Sequence, residues 1–226
     1  MSDPAGETRP RGPGLSRERV LRSAVEVADA GGIAALTIRS LADALGVRPM
    51  SVYHYVANKE EILDGLVDIV FDEIELPTVG GDWRAELSRR AHSARQVLRR
   101  HPWAIPLLES RRSPGPATLR HHDAVLGTLR AAGFSPEGTA HAYVVLDAFV
   151  YGYAVQESSL PFEGTDGVGE MAAPIVELMS AGAYPHLLEM TTAHYLRPGY
   201  DFAEEFQLGL DLVLDGLVRW SGSPSE

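Results

Sequence analysis

Apolar residues recur along this 226-residue chain at intervals of three and four, the spacing that places them on one face of an α-helix. Ser16 can cap a first helix, and the pair Gly31-Gly32 can end it because glycine adopts the left-handed conformation without strain. Thr37 can cap a second helix over residues 38–45, which Gly46 terminates. The pattern therefore predicts short, closely spaced helices at the start of the chain.

The rest of the chain continues this helical pattern. A short third helix is predicted over 49–55, and Asn58 opens a long fourth helix that ends before Pro77. No segment alternates apolar and polar residues between hairpin turns, so we predict an all-α fold. Residues 1–14 are rich in proline and glycine, and we expect them to be a disordered arm. Further amphipathic segments cover 82–100, 103–110, 116–132, 136–158, 168–182, 185–195 and 200–220.

Residues 36–59, LTIRSLADALGVRPMSVYHYVANK, have the offsets of a helix-turn-helix. Ala42 is small where the next helix would cross closely, and Gly46 stands where the turn needs a positive φ angle. The third helix offers donors, aromatic rings and a methyl group, which suit the major groove of DNA. Lys59 lies at a helix N-terminus, where it can bind a phosphate.

Charge is distributed unevenly along the chain, whose formal net charge is -11. Residues 1–59 carry 8 Lys and Arg against 6 Asp and Glu, whereas residues 60–226 carry 12 against 25. The acidic part repels phosphate, so DNA contact is expected to be confined to the first part. There is no cysteine, which excludes thiolate zinc sites and cysteine nucleophiles. We also find no signal-peptide or membrane-span pattern, and we expect a cytoplasmic protein.

The stretch from AGGIAALTIRSLADALGV to SVYHYVANKEEILDGL closely resembles the DNA-binding head of the TetR family of transcriptional regulators. The segments at 99–111 and 206–217 resemble, more loosely, a tetracycline-repressor type of C-terminal domain. The resemblance implies a three-helix head over 15–62 and a larger helical ligand-binding and dimerisation body over 63–222. It implies a homodimeric repressor that binds double-stranded operator DNA and that a small-molecule effector releases from this DNA. The candidate DNA contacts are Thr37, Arg39, Arg48, Pro49, Met50, Ser51, Tyr53, His54, Tyr55 and Lys59.

A departure from the family pattern restricts the ligand. The histidines that hold the magnesium–drug complex in tetracycline-binding members are matched here by Leu108 and Ala148, and an acidic partner by Gln156. The resemblance therefore implies a different ligand, with no required metal and no cofactor.

Polar and aromatic groups inside apolar helices are candidates for lining a ligand pocket. Asp147 is the clearest, because a carboxylate within VVLDAFVYGY must find a partner or shift its pKa if it is buried. The histidines at 101, 121, 122 and 141 are expected at the surface or in caps. The pocket candidates are Trp103, Arg111, Tyr143, Asp147, Tyr151 and Gln156.

The resemblance implies a dimer formed by two helices of each body, and the segments 136–158 and 200–220 are the best candidates. Their apolar side chains could equally belong to the internal core. The candidate interface residues are Val144, Ala148, Val155, Phe206, Leu210, Val213, Leu214 and Leu217.

Other functions remain open from the sequence. The chain has no phosphate-binding glycine loop, no G-x-S-x-G elbow and no HExxH, so we do not expect an enzyme. A DNA-binding protein without a ligand, an activator and a corepressor-dependent regulator all fit the same head.

Overall fold

The computed structural model describes residues 14–108, 110–111, 113–160, 176–179, 182, 184–218 and 221, and in this part of the chain the regular elements are all helices. Apart from Gly14, the arm predicted for residues 1–14 lies outside the described residues, as does most of the segment predicted over 168–182. None of the described helices combines the length and apolar character needed to cross a bilayer.

Four helices build the N-terminal head, and their caps follow the sequence. Ser16 accepts a hydrogen bond from the backbone N–H of Arg19, and Thr37 forms a reciprocal capping box with Ser40. Gly32 (φ 72°) interrupts the first helix where the glycine pair predicts its end, although helical bonding resumes for three residues. The helices are α1 (Arg17–Ala35), α2 (Ile38–Leu45), α3 (Pro49–Val52) and α4 (Lys59–Glu73).

The turn between α2 and α3 has the geometry that the helix-turn-helix pattern predicts. Gly46 is left-handed (φ 68°, ψ 32°), and its N–H returns to the last turn of α2. The third helix is shorter than the predicted 49–55, because the chain leaves the helical hydrogen-bond pattern at Tyr53. Asn58 caps α4 through the N–H of Glu61, whose own carboxylate accepts the N–H of Ala57 at 2.7 Å. The cap therefore fixes the path of the chain into α4.

Side chains from all four helices form the core of the head. Ala42 is fully buried, as the close crossing of α3 over α2 requires, and Val52 of α3 is fully buried as well. Such short helices are marginal alone, so this packing holds α2 and α3 in place. Other buried residues are Val20, Leu21, Ala24, Val25, Leu36, Leu41, Leu45, Val56, Ile62, Leu63 and Leu66.

The body consists of longer helices packed around α8. The segment predicted over 103–110 is a 3-10 turn (Pro102–Ala104) followed by one helical turn, and the segment 185–195 ends in a π-helical turn (Thr191–Tyr195). The helix α8 packs against α5, α7 and the C-terminal helix. The body helices are α5 (Trp83–Arg100), α6 (Ile105–Leu108), α7 (Pro116–Ala131), α8 (Pro136–Ser159), α9 (Pro185–Met190) and α10 (Phe202–Val218).

The helix α4 joins the head to the body and also caps α7. Asp68 accepts hydrogen bonds from both the N–H (2.8 Å) and the hydroxyl (3.0 Å) of Thr118, in the first turn of α7. Gly115 lies directly against this carboxylate, where a Cβ atom would come within 2.2 Å of the Asp68 side chain. The absence of a side chain at Gly115 is thus what allows α4 and α7 to approach.

A second junction ties α1 to the segment after α5. Asp29 accepts hydrogen bonds from the indole N–H of Trp103 at 2.6 Å and from His101 at 2.7 Å. The other ring nitrogen of His101 lies 3.2 Å from Glu73 of α4. His101 is 6% exposed and therefore not at the surface, but it is a capping residue, since it ends α5 as its C-cap. It links two helices of the head to the body.

Candidate DNA-binding face and ligand site

The residues predicted to contact DNA lie on α2 and α3, on the short segments beside these helices and at the first residue of α4. Met50 is 71% exposed and Tyr53 44%, while Val52 between them is fully buried. Because Val52 is buried in the core, α3 is held in one rotation about its axis, with Met50 and Tyr53 facing outward. Ser51 and Tyr55 are half-buried, and Tyr55 packs partly on the core. The remaining candidates, Thr37, Arg39, Arg48, Pro49, His54 and Lys59, are exposed.

The distribution of charge favours this face for an anionic partner. Arg39 on α2, Arg48 at the start of α3 and Lys59 at the start of α4 are exposed cations. A groove elsewhere on the head, between α1, α4 and the loop before α7, is lined by eight carboxylates and two arginines, an excess of negative charge that repels phosphate. Its acidic residues are Glu18, Glu26, Asp29, Glu61, Asp64, Asp68, Asp72 and Glu73.

Inside the body, Arg90 of α5 forms the centre of a buried polar cluster. The guanidinium is fully buried and donates to Asp147 Oδ1 of α8 at 2.6 Å. Its Nε and Nη2 lie 3.1 Å and 2.8 Å from Nε2 of His121 on α7. Burial is the largest single effect and opposes the charge on Arg90, but Asp147 and the neighbouring tyrosines together outweigh it and raise the pKa of the arginine. The carboxylate that the sequence singles out therefore has a buried cationic partner.

The position of the proton on His121 follows from this contact. An arginine only donates hydrogen bonds, so Nε2 of His121 must accept and the proton must lie on Nδ1. Burial, and then the charge of Arg90, lower the pKa of His121 to about 2, so the ring is neutral. His121 is fully buried, and the expectation of a surface or capping histidine is wrong for it.

Aromatic rings surround the Arg90 cluster. The hydroxyl of Tyr143 lies 2.9 Å from Nδ1 of His122. The ring of Phe71 lies 5.1 Å from that of His121 and 5.4 Å from that of His122, centroid to centroid. Burial, and then the negative charge of Asp147, raise the pKa of Tyr143, so its hydroxyl keeps its proton.

Three of the six predicted pocket residues come together here, namely Tyr143, Asp147 and Tyr151, which all lie close enough to Arg90 to interact with it electrostatically. Arg90 was not predicted from the sequence as a functional residue, although its position on the buried face of α5 could have revealed it. It lies three residues after Leu87 and four before Ala94, within the buried face of α5. His121 similarly lies four residues from both Ala117 and Val125 on α7.

The other three predicted pocket residues lie elsewhere. Trp103 contacts Asp29 of α1, and Arg111 pairs with Glu60 at 2.8 Å at the start of α4. Both therefore belong to the contact between head and body. Gln156 is exposed in a groove that it shares with Tyr153 and with aromatic residues of the π-helical turn and α10.

The residues predicted for a dimer interface divide between two environments. Val144 is 61% exposed and Val155 49%, and Ala148 is exposed on the same helix. On α10, by contrast, Phe206, Leu210, Leu214 and Leu217 are at most 4% exposed, and Val213 is half-buried against the core. These four belong to the core of the single chain, because they face α8 and α5. The choice of face on α10 is corrected accordingly: Leu208 (59%) and Leu212 (68%) are its exposed leucines.

Metal ligands do not gather anywhere in the described part of the chain, where no group of three or more His, Asp or Glu could hold an ion. The polar cluster at Arg90 is an ion pair with a neutral histidine and not a coordination site.

Comparisons with known proteins agree with the architecture. Residues 20–66 match the family model "Bacterial regulatory proteins, tetR family", and residues 76–220 match "Tetracyclin repressor-like, C-terminal domain". The chain is 34% identical over 214 residues to the HTH-type transcriptional repressor DrrR1 of Streptomyces coeruleorubidus, covering 91% of this chain and 78% of that protein. It is 29% identical to the class A tetracycline repressor protein of Escherichia coli, covering 91% of each.

Among solved structures, ActR of Streptomyces coelicolor in complex with actinorhodin superposes with a TM-score of 0.78 at 26% identity. That match covers 93% of this chain and 99% of the other.

Proposed function

Because the chain belongs to the TetR family of transcriptional regulators, we propose that it represses transcription as a homodimer and leaves its operator when a small molecule binds the body. The observation that carries the proposal is the outer face of α3. Val52 anchors the helix in the core while Met50 and Tyr53 are exposed to solvent, and the cations Arg39, Arg48 and Lys59 of the same part of the chain are exposed as well. A helix held in this way can enter the major groove and contact base edges.

The division of labour among these residues follows from their chemistry. Lys59 and Arg39 are suited to phosphate, which positions the protein without reading sequence. Arg48, Pro49, Met50 and Tyr53 are suited to base edges, since they combine a bidentate donor with apolar and aromatic groups.

The dimer that we propose uses the exposed faces of α8 and α10. Val144, Ala148 and Val155 on α8 and Leu208 and Leu212 on α10 present apolar surface to solvent in the single chain. Exposed apolar side chains gathered on neighbouring helices are typical of an interface. A two-fold dimer would place two copies of α3 at a separation set by the body.

A gel-shift titration with DNA from beside the gene tests DNA binding. We expect specific retardation whose affinity falls steeply with salt. Lys59→Ala should weaken binding to every sequence and reduce the salt slope by about 1 per protomer. Tyr53→Ala should also change sequence preference, and Arg22→Ala, on the exposed side of α1, is the matched control. Unchanged affinity of Lys59→Ala would contradict the placement of the DNA face.

Sedimentation equilibrium tests the dimer. Leu212→Glu should give a monomer, because a carboxylate would be buried without a partner in the interface. Leu119→Glu on α7 is the control, since Leu119 is similarly exposed (57%) but lies on another helix. A dimeric Leu212→Glu protein would exclude this face of α10.

A protein that stays bound to its DNA in the presence of every effector tried would favour the ligand-independent alternative.

A further inference from the structure

The polar cluster around Arg90 contains two buried groups whose hydrogen-bonding capacity is unused in the described part of the structure. Oδ2 of Asp147 and Nδ1 of His121 have no hydrogen-bond partner among the described residues. Both side chains are more than nine-tenths buried. Buried polar groups are ordinarily paired, so such groups in a native protein require an explanation.

The two unused groups have opposite hydrogen-bonding character. Oδ2 belongs to an ionised carboxylate and only accepts. Nδ1 of His121 carries the ring proton, because Nε2 accepts from Arg90, so it only donates. The cluster therefore offers one acceptor and one donor to a molecule that supplies the complementary pair.

The charge of the cluster determines the charge of that molecule. The guanidinium of Arg90 is matched by the carboxylate of Asp147, and His121 is neutral. An additional ion would be buried without a counter-charge, which is strongly unfavourable. The ligand is therefore neutral, and the rings of Phe71 and Tyr143 beside the cluster favour an aromatic one.

We propose that this cluster recognises the effector and that it takes a neutral aromatic hydroxy-ketone, whose hydroxyl donates to Asp147 Oδ2 and whose carbonyl accepts from His121 Nδ1. This inference rests on the proposed function, since it names the ligand class of the effector site. The donor and acceptor arise from residues on α7 and α8, so the ligand would connect these two helices.

Three matched probes test the inference on the full-length protein by equilibrium dialysis at pH 6.5. The probe 4-hydroxybenzophenone carries both groups, 4-methoxybenzophenone lacks the donor, and 4-benzoylbenzoate adds a negative charge. We expect the hydroxy compound to bind at least tenfold more tightly than each of the other two, which is about 1.4 kcal/mol. Equal affinity for the hydroxy and methoxy compounds, or no binding of the hydroxy compound, would overturn the proposal.

A protein variant provides an independent test. Asp147→Asn replaces the anionic acceptor by an amide, and we expect it to lose at least tenfold in affinity for 4-hydroxybenzophenone. Asp123→Asn, an exposed residue of α7, is the matched control and should bind as the wild type does. Wild-type affinity in a folded Asp147→Asn protein would overturn the proposal. If Asp147→Asn fails to fold, the comparison of the three probes on the wild type decides.

DNA affinity measured on the same protein without probe separates the two proposals. If the protein binds DNA but does not discriminate among the three probes, the proposed ligand class is contradicted and the proposed function is not. Loss of both would contradict the proposed function itself.

Discussion

The buried charges of Arg90 and Asp147 should depend on each other, so that removing one of them destabilises the protein by leaving the other without a partner. Its side chains are 0% and 8% exposed, and Nη1 lies 2.6 Å from Oδ1. Removing one partner of such a pair leaves an uncompensated buried charge, which costs about 3–5 kcal/mol. We therefore expect Arg90→Met and Asp147→Leu each to lower the free energy of unfolding by that amount. That is a large part of the 5–15 kcal/mol typical of a native protein.

The double variant Arg90→Met/Asp147→Leu should lose much less than the two single losses together. It removes both charges and replaces them with apolar groups, a change that is often close to neutral for buried pairs. Urea unfolding followed by far-UV circular dichroism, at one protein concentration throughout, measures the four free energies. We expect a coupling of about 2 kcal/mol or more between the two sites. Strictly additive losses would refute the reasoning, because they would mean that neither charge depends on the other.

Three further perturbations have defined outcomes. The pKa of His121 is about 2 in the folded protein and near 6.5 when unfolded, so below pH 6.5 only the unfolded state takes up the proton. Stability should therefore fall by about 2 kcal/mol from this group between pH 7 and pH 5, and His121→Gln should remove that part of the urea-measured dependence. Gly46→Ala, at φ 68°, should cost about 1–2 kcal/mol in thermal unfolding, whereas Gly46→Asn should cost less; equal losses would contradict the role of the left-handed turn. Gly115→Ala should displace Asp68 from the start of α7 and lower stability by about 1–3 kcal/mol; an unchanged melting temperature would show that the cap is dispensable.

The sequence predicted the head well because its signals are local. The caps at Ser16 and Thr37 and the turn at Gly46 each depend on a few neighbouring residues, and all three have the predicted geometry. The length of α3 was overestimated, because the helical pattern of side chains continues past Val52 while the backbone changes to turns, with i→i−3 bonds from His54 to Ser51 and from Tyr55 to Val52. Pattern alone reports which faces are apolar and not where the hydrogen bonding stops.

The body was harder to predict because its key contacts join residues far apart in the chain. Asp147 was recognised as anomalous from its apolar neighbours, but its partner Arg90 lies 57 residues earlier. Trp103 and Arg111 were predicted to line the pocket because of their residue types, yet they contact α1 and α4 of the head. The apolar residues of α10 cover more than one face, and only packing against α8 distinguishes the core residue Leu210 from the exposed Leu212.

The most direct test of the central claim is a hydroxyl-radical footprint of the full-length protein on the DNA beside its own gene. A dimer that inserts two copies of α3 should protect two half-sites related by a two-fold axis, on one side of the duplex and about one helical turn apart. The Tyr53→Ala variant should weaken both protected regions equally. A single protected half-site, or protection that survives the loss of the exposed face of α3, would contradict the account.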